Sequence, residues 1–465
     1  MNTEENTNEN IKLITGDPKR AIRKLAWPMM IATFLTMAYN LIDGIWISGL
    51  GTNALAGLGF VTPLYMIVAG LGTGLGAGAN SLIARYIGAK NKKMADNSAI
   101  HSLVLTIIIS AIITLIFTVF LKQLLLVMGV GANIMPSALN YGYVVFAGSI
   151  VFIFSNVGAG ILRAEGDVNR AMYTLAITAI LNCILDPIFI YTLKWGMAGA
   201  AWASVLSALI SCIIMLYWLF IEKKTYISYT REDFNYKNSI MKNLLNVGIP
   251  ASADIVIVSI LAIVLNYILT IVSGAYGVAV YSAGHRIFLM TLVPHVGIGT
   301  AVLTTIGVAY GARNFEKMKV GFNYALKLGI ISSLIMCIFL FIFAEQISCL
   351  FAYTSTSADL VPGISLFIRI IVIQIMALPI GLIPTYSFQS MGKGLNSLIT
   401  ILIRSFIFTI IFVYILTMII PLKITGVWIG YSIGGLIGAI LSYIWIKYVL
   451  NSLNKTYANN KKTQK

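Results

Sequence analysis

The sequence predicts an all-α polytopic membrane protein, with twelve transmembrane helices in two six-helix bundles related by a pseudo-twofold axis. Three observations lead to this prediction. The mean hydropathy is +0.89, and only 10% of the 465 residues are charged, a composition outside the range of ordinary soluble domains. Apolar runs long enough to cross a bilayer recur along the chain, and the second half partly repeats the first.

The apolar runs define the predicted spans. A helix rises 1.5 Å per residue, so about 20 residues cross the roughly 30 Å of hydrocarbon in a bilayer. The first run is too long, and too polar at Asp43, to be a cleavable signal. Twelve runs meet the required length, at residues 25–48, 54–84, 99–121, 138–162, 171–193, 197–221, 243–272, 277–310, 320–344, 360–388, 396–420 and 425–449.

The distribution of positive charge predicts the orientation. If the N-terminus is cytoplasmic, the inner segments carry 25 Lys and Arg and the outer loops carry 3. Positive residues collect on the cytoplasmic side, so we expect both termini in the cytoplasm and the chain in the plasma membrane. The net charge of +16 then reflects topology, and no nucleic-acid partner is predicted.

An internal repeat divides the spans six and six. "ARYIGAKNKK" (84–93) matches "VAYGARNFEK" (308–317) at an offset of 223. Copies with an even number of spans run the same way through the membrane, around an axis along its normal, and a substrate cavity is expected between them. The predicted organisation is a cytoplasmic segment, an N-terminal lobe, a cytoplasmic linker, a C-terminal lobe and a cytoplasmic tail, at 1–24, 25–221, 222–242, 243–450 and 451–465.

Cysteine spacing and nucleotide-binding motifs limit the cofactors and the energy sources that the protein could use. The four cysteines are scattered, with no CxxC pair and no His ligand set, so we predict no disulfide, no cofactor and no metal apart from Na+. There is no GxxxxGK[ST] motif, and no soluble segment exceeds roughly 25 residues. The chain is therefore predicted to be neither an enzyme nor an ATP-driven pump, and an ion gradient has to supply the energy.

Two aspartates within spans are the leading candidates for a functional site. Asp43 and Asp186 each lie about seven residues before the outer end of a span, and Ser204 lies about seven residues after an outer start, so the three share one depth. Asn182 is on the same helical face as Asp186, one turn inward. Two carboxylates, an amide and a hydroxyl suit Na+, or the carboxylates share one proton. Alternatively, neighbouring helices satisfy both aspartates, which then only fix packing.

The repeat does not preserve these carboxylates. Asp43 falls on Asn266 at the offset of 223, and Asp186 falls on Phe412 or Val413 at offsets of 226 or 227. The predicted ion site therefore belongs to the N-terminal lobe alone.

Other polar residues within spans leave their roles open. Asp254, Arg286, Arg369 and Arg404 lie near mid-depth in the second half, where an unpaired charge is costly. Either Asp254 pairs with one of the arginines, or these residues act in gating or substrate contact. Pro28 either lets the first helix bend and carry Asp43 with it, or makes a static kink.

Five segments of the sequence carry family-specific motifs, namely "AYNLIDGIWISGLGTNALAGLGF" (38–60), "GAGANSLIARYIGAKN" (76–91), "ILRAEGDVNRAMYTLAITAILNCILDPIFI" (161–190), "GMAGAAWASVLS" (196–207) and "VYSAGHRIFLMTLVPHVGIGTAVLTTIGVAYGARN" (280–314). Together they resemble one known family, the multidrug and toxic compound extrusion (MATE) transporters, and are most similar to its DinF-like branch, which includes archaeal members.

The resemblance implies a monomeric antiporter that exports amphipathic, often cationic drugs in exchange for Na+ or H+ by alternating access. In that branch the coupling-ion site matches Asp43, Asn182, Asp186 and Ser204. The resemblance further implies that Tyr39, Tyr141 and Asn156 line the cavity, that Arg163 and Glu165 form a charged pair on the cytoplasmic side, and that Pro28 bends the first helix.

Departures from the family pattern affect the residues of the substrate cavity more than those of the ion site. Ser204 stands where close relatives carry threonine and keeps the hydroxyl, whereas Thr36 and Ala159 replace amide-bearing residues. In the tenth span Arg369 and Gln374 stand in place of the carboxylates that the NorM-like branch uses. The alternative function is a lipid-linked oligosaccharide flippase, whose pyrophosphate headgroup would suit the arginines. A non-transporting sensor is disfavoured, because no soluble part could relay a signal.

Overall fold

The structure is a computed structural model that describes residues 3–222, 225–229, 234–352 and 358–463. Parts of the predicted terminal segments and linker, at 1–2, 223–224, 230–233 and 464–465, lie outside the described residues. Within the described residues the chain forms helices and no strand. The α-helices are α1 (Thr3–Thr15), α2 (Pro18–Ser48), α3 (Thr52–Gly88), α4 (Lys92–Val127), α5 (Met135–Ala147), α6 (Ser149–Ala164), α7 (Val168–Pro187), α8 (Gly196–Leu216), α9 (Asn238–Gly311), α10 (Phe315–Ile342), α11 (Ala344–Phe351), α12 (Val361–Ser390), α13 (Gly394–Leu402), α14 (Phe408–Tyr414) and α15 (Lys423–Thr463).

Four π-helical turns interrupt or extend these helices. Such turns carry one extra residue per turn and often occur at functional sites. They lie at Ile188–Thr192, Tyr217–Ile221, Ile403–Ile407 and Ile415–Ile419, and a short 3₁₀ turn at Ala358–Leu360 precedes α12.

The described helices account for twelve spans. Ten helical segments are long and apolar enough to cross a membrane, and α5 with α6, bent by 47° at their junction, make an eleventh. The 74-residue α9 would be about 110 Å long if straight. It is broken at Gly274, where φ is 60° and ψ is −151°, and so it holds two spans. The predicted all-α, twelve-span fold is confirmed.

The chain divides into two compact units. The first contains residues 1–17 and 27–255, and the second contains residues 18–26 and 256–465. The first unit contains the spans from α2 to α8, apart from the opening residues 18–26 of α2, which belong to the second unit. The boundary between residues 255 and 256 divides the first span of α9, and the spans after Gly274 belong to the second unit. The limits of the cytoplasmic segments, which depend on the membrane topology, stay a prediction.

The backbone of the two units repeats at the predicted offsets. Left-handed φ values are uncommon for residues other than glycine, so matched positions are informative. Four pairs recur, namely Gly51 (98°) with Gly274 (60°), Lys90 (55°) with Arg313 (53°), Gly166 (86°) with Gly392 (74°), and Gly196 (55°) with Lys423 (54°). The side chains of Asn91 and Asn314 also cap matching helices, accepting from the N–H groups of Met94 at 3.1 Å and Lys317 at 3.0 Å. The repeated sequence thus encodes a repeated turn and cap.

Candidate coupling-ion site

Two carboxyl groups lie in hydrogen-bonding contact inside the first unit. Asp43 comes from the C-terminal part of α2 and Asp186 from the last turn of α7, and their side chains contact each other. Pro187 has no N–H to donate to the Cys183 carbonyl, and the helix continues as the π-helical turn Ile188–Thr192. Asp186, which is 0% exposed, is therefore held at the point where regular α-helix ends.

Asn182 joins this pair to α8. The orientation of its amide that satisfies all of its neighbours has Nδ2 donating to Asp186 Oδ2 at 3.2 Å. The amide oxygen then accepts from Ser204 Oγ at 3.1 Å and from Ser204 N–H at 3.3 Å. Asn182 is 1% exposed and Ser204 is half-buried. The three residues predicted at one depth and Asn182, predicted one turn inward on the face of Asp186, are thus brought together as one connected group.

The group has the chemistry of a cation site. Oδ1 of Asp43 is buried and accepts no hydrogen bond within the described part of the chain. Two touching carboxylates repel each other unless a proton or a cation lies between them. The amide and hydroxyl oxygens add neutral hard ligands of the kind that Na+ prefers. The same arrangement therefore accommodates either a shared proton or Na+.

Three tyrosines surround the carboxyl pair. Tyr39 lies one turn before Asp43 on α2, and its hydroxyl is hydrogen-bonded to that of Tyr65 from α3. Tyr141, on α5, is buried and interacts electrostatically with both aspartates. Tyr65 was not predicted from the sequence, because it belongs to no repeated motif and carries no charge. Only its position near the middle of an apolar helix could have suggested it.

Asn156 lies beside this cluster rather than in it. Its Nδ2 donates to the carbonyl of Phe152 at 3.0 Å, and the Phe152 ring meets the Tyr65 ring edge-on at 5.5 Å. A Cβ at Gly76 of α3 would lie 2.5 Å from the Asn156 carbonyl oxygen. Close packing of α3 on α6 therefore requires glycine here, and it holds Asn156 against α3, the helix that carries Tyr65.

On the side predicted to face the cytoplasm, Glu165 holds the linker. It is 3% exposed, and its Oε2 accepts from the N–H groups of Tyr226 at 2.8 Å and Ile227 at 3.2 Å. Burial raises the pKa of Glu165 to about 8, the charge of Asp167 adds to this, and the two backbone hydrogen bonds oppose it. Arg163 lies in the last turn of α6, two residues before Glu165.

The remaining predicted residues are spread over other helices. Pro28 lies within α2, where it removes one backbone hydrogen bond. Asp254 and Arg404 are half-buried, whereas Arg286 and Arg369 are exposed. Whether Asp254 serves gating or charge pairing stays a prediction.

Comparisons with known proteins identify the relatives of this chain. The sequence pattern of the MatE family matches residues 28–188 and 250–415. The chain is 24% identical over 396 residues to the "FAD transporter" of Shewanella oneidensis, covering 84% of this chain and 86% of that protein. It is 24% identical over 438 residues to the "Probable multidrug resistance protein YoeA" of Bacillus subtilis, covering 91% and 92%. A crystal structure of MATE in complex with MaL6 matches with a TM-score of 0.94 at 38% identity, covering 96% of this chain and 99% of that one.

These matches confirm the resemblance drawn from the sequence motifs. The two matched segments make up well over half of the chain and fall one in each unit for nearly all of their length. The relatives are named as an FAD transporter, a probable multidrug resistance protein and a multidrug resistance MATE family transporter, so the prediction that the chain is not an enzyme is also confirmed. This chain is a membrane transporter that belongs to the MatE family of multidrug efflux proteins.

Proposed function

We propose that this protein exports amphipathic organic compounds, often cationic, in exchange for Na+ or H+. Asp43, Asn182, Asp186 and Ser204 form the coupling-ion site, and Tyr39, Tyr141 and Asn156 line the adjacent substrate path. The chain works as a monomer in the plasma membrane, with both termini in the cytoplasm. Its placement in the DinF-like branch stays a prediction.

One observation carries this proposal: the contact between the buried carboxyls of Asp43 and Asp186. A carboxylate within a membrane helix costs more free energy than an apolar residue at the same position, so packing alone gives no reason to keep one. The second unit supports the argument, because it keeps the backbone repeat with Asn266 in place of Asp43. Packing alone therefore does not require the pair.

Exchange requires that ion and substrate binding oppose each other. When one proton or one Na+ occupies the pair, its negative charge falls from two to one, so its attraction for a cationic substrate is weaker. When the pair is empty, its negative charge attracts the cation and the tyrosines offer aromatic faces. Alternating exposure of this one site to the two sides of the membrane then couples the two flows.

In this scheme α2 bends at Pro28. A proline leaves the carbonyl four residues earlier without its helical partner, which softens the helix locally. Bending at Pro28 would move the segment that carries Tyr39 and Asp43. Arg163 and Glu165 stand at the opposite end of the unit, where closure of the path would be controlled.

The flippase alternative gains no support from the relatives, which are named as an FAD transporter and a probable multidrug resistance protein. The FAD transporter relative does extend the range of cargo that we consider for this chain. FAD is an anion at neutral pH, so a substrate of this fold need not be a simple cation.

The test is efflux of a fluorescent organic cation from liposomes that contain the purified protein. A Na+ gradient and a pH gradient are imposed separately, and Asp43→Asn and Asp186→Asn are compared with the parent chain. We expect one gradient to drive efflux and both variants to fall to the protein-free background. Asp359→Asn, the same change at an exposed position, is the matched control and should keep the parent rate. Gradient-driven efflux by both single variants would reject the proposal.

A further inference from the structure

The second unit contains a π-helical turn for which the first unit has no counterpart. The turn Ile415–Ile419 matches Ile188–Thr192 at the offset of 227. The turn Ile403–Ile407 would fall on residues 176–180, which are regular helix within α7. Arg404 lies in this additional turn. The second unit thus departs from the repeat at its half-buried arginine.

Glycines on two neighbouring helices make room for Arg404. A Cβ at Gly381 of α12 would lie 3.0 Å from Arg404 Cδ, so the arginine stem passes over that glycine. On the other side, a Cβ at Gly438 of α15 would overlap the Ile403 carbonyl. Arg404 is therefore set between α12 and α15, inside the unit.

Neutral polar groups from α9, α12 and α15 accompany the arginine. Gln374, two turns before Gly381 on α12, lies over Gly435 of α15, and its buried Oε1 accepts no hydrogen bond from the described residues. Tyr431, one turn before Gly435, interacts electrostatically with Arg404. The buried Nδ1 of His285 has no hydrogen-bond partner within the described residues.

Aromatic rings form the wall of this cluster. The His285 ring stacks on Tyr281 with centroids 5.2 Å apart, and Tyr281 in turn lies parallel to Trp428 at 6.1 Å. Phe288 meets Tyr431 edge-on at 6.0 Å. These rings are buried, with Trp428 only 1% exposed, and they belong to the hydrophobic core of the second unit, so they support the polar groups from behind. Arg404, Gln374 and His285 stay partly exposed.

We propose that Arg404, Gln374, His285 and Tyr431 form a second substrate subsite that recognises the carboxylate or phosphate of an organic anion or zwitterion. A guanidinium matches the planar, two-oxygen geometry of such groups and stays charged at any physiological pH. The amide oxygen of Gln374 and the Nδ1 atom of His285 can accept hydrogen bonds from donors elsewhere on the ligand. This subsite deepens the proposed function, on which it rests, by adding acid-bearing compounds to the substrate range.

The experiment compares two dyes that differ in one group, a rhodamine methyl ester and the corresponding free acid. Both carry the same cationic ring system, and only the free acid offers a carboxylate. Efflux of each is measured from liposomes that contain the full chain, under the gradient that drives the ester. We expect the parent chain to export both dyes. Arg404→Gln should slow efflux of the acid at least about tenfold and change efflux of the ester less than about twofold.

Further variants separate recognition from folding. Arg404→Lys keeps the charge without the fork and should lower the acid-to-ester ratio about threefold. Gln374→Leu should lower that ratio to a similar extent. Lys327→Gln removes an exposed positive charge from α10 in the same unit, and should leave the ratio unchanged.

Each outcome bears on a different claim. If the parent chain exports the ester but not the acid, or if Arg404→Gln slows both dyes equally, the subsite is wrong while the proposed function stands. If the parent chain exports neither dye under either gradient, both proposals are wrong. If Arg404→Gln does not fold, an unchanged acid-to-ester ratio in Arg404→Lys and Gln374→Leu overturns the subsite, and a lowered ratio supports it.

Discussion

The two units use the same backbone plan but carry opposite charges at their buried polar positions. In the first unit, Asp43 and Asp186 touch each other and Asn182 links them to Ser204. In the second, the position of Asp43 holds Asn266, and the in-span charge packed between helices is Arg404. Left-handed residues and helix caps nevertheless recur in pairs.

This difference shows how the two halves of a duplicated fold can take on different chemical roles. Turns, caps and helix lengths determine the bundle, and they constrain residues at helix ends. Side chains within the spans are free to diverge as long as their volumes fit and their charges are satisfied. A carboxylate pair in one unit and an arginine in the other then give one protein two chemically distinct interiors.

The sharpest way to break the comparison is to move a carboxylate across the repeat. Asn266→Asp, combined with Asp43→Asn, restores the number of acidic groups at the matching position of the other unit. We expect the double variant to stay at the background efflux of Asp43→Asn alone, because Asp186, Asn182 and Ser204 all lie in the first unit. The measurement is gradient-driven efflux of the organic cation. Recovery of more than about a tenth of the parent rate would mean that the units are interchangeable.

A smaller effect is expected from the neutral oxygens of the site. Ser204→Ala removes one hydrogen-bond partner of Asn182 and one oxygen near the ion, a loss of the order of 1 kcal/mol. The concentration of coupling ion that gives half-maximal efflux should rise about fivefold, with a smaller change in the maximal rate. Ser204→Thr keeps the hydroxyl and should stay within about twofold. Equal behaviour of the two variants would remove Ser204 from the site.

Much of this organisation could be predicted before any coordinates, because it follows from spacing along one helix. Hydropathy located the spans, and the rise per residue placed Asp43, Asp186 and Ser204 at one depth. The matched turns at Asn91 and Asn314 could be predicted because caps depend on residues three positions apart.

Lateral packing could not be predicted in the same way. Depth does not determine which helix faces lie together. The contact of Asp43 with Asp186 and the position of Tyr65 beside them depend on how the helices pack laterally. The π-helical turn at Arg404 has no proline or glycine within "IRSFI" to mark it. The break at Gly274 was anticipated only as a gap between two spans.

The smallest effect on transport concerns the turn after α6, which again differs between the units. Gly166 and Gly392 adopt the same left-handed backbone, but the residue before them is Glu165 in one unit and Met391 in the other. Only the first can accept the linker N–H groups of Tyr226 and Ile227 through a carboxyl. Burial raises the pKa of Glu165 from about 4.5 to about 8. Glu165 therefore binds a proton more tightly when the linker is docked than when it is released. Docking is therefore favoured most at low pH and loses this contribution as the pH rises towards 8.

Amide hydrogen exchange at Tyr226 and Ile227, corrected for the intrinsic pH dependence, measures this directly. Protection should fall by up to about tenfold per pH unit between roughly pH 5 and 8 and then level off. Glu165→Gln keeps the shape and one acceptor but cannot ionise, so its protection should be independent of pH, and its efflux at neutral pH should stay within about twofold of the parent. The amide of Gly392, which bonds to the Gln389 carbonyl at 3.0 Å in the matching turn, is the internal control. If protection in the parent chain rises with pH, or if Glu165→Gln retains the dependence, the carboxyl does not control the linker. A flat profile in the variant beside a falling one in the parent would show that one carboxyl, absent from the other unit, makes the linker sensitive to pH.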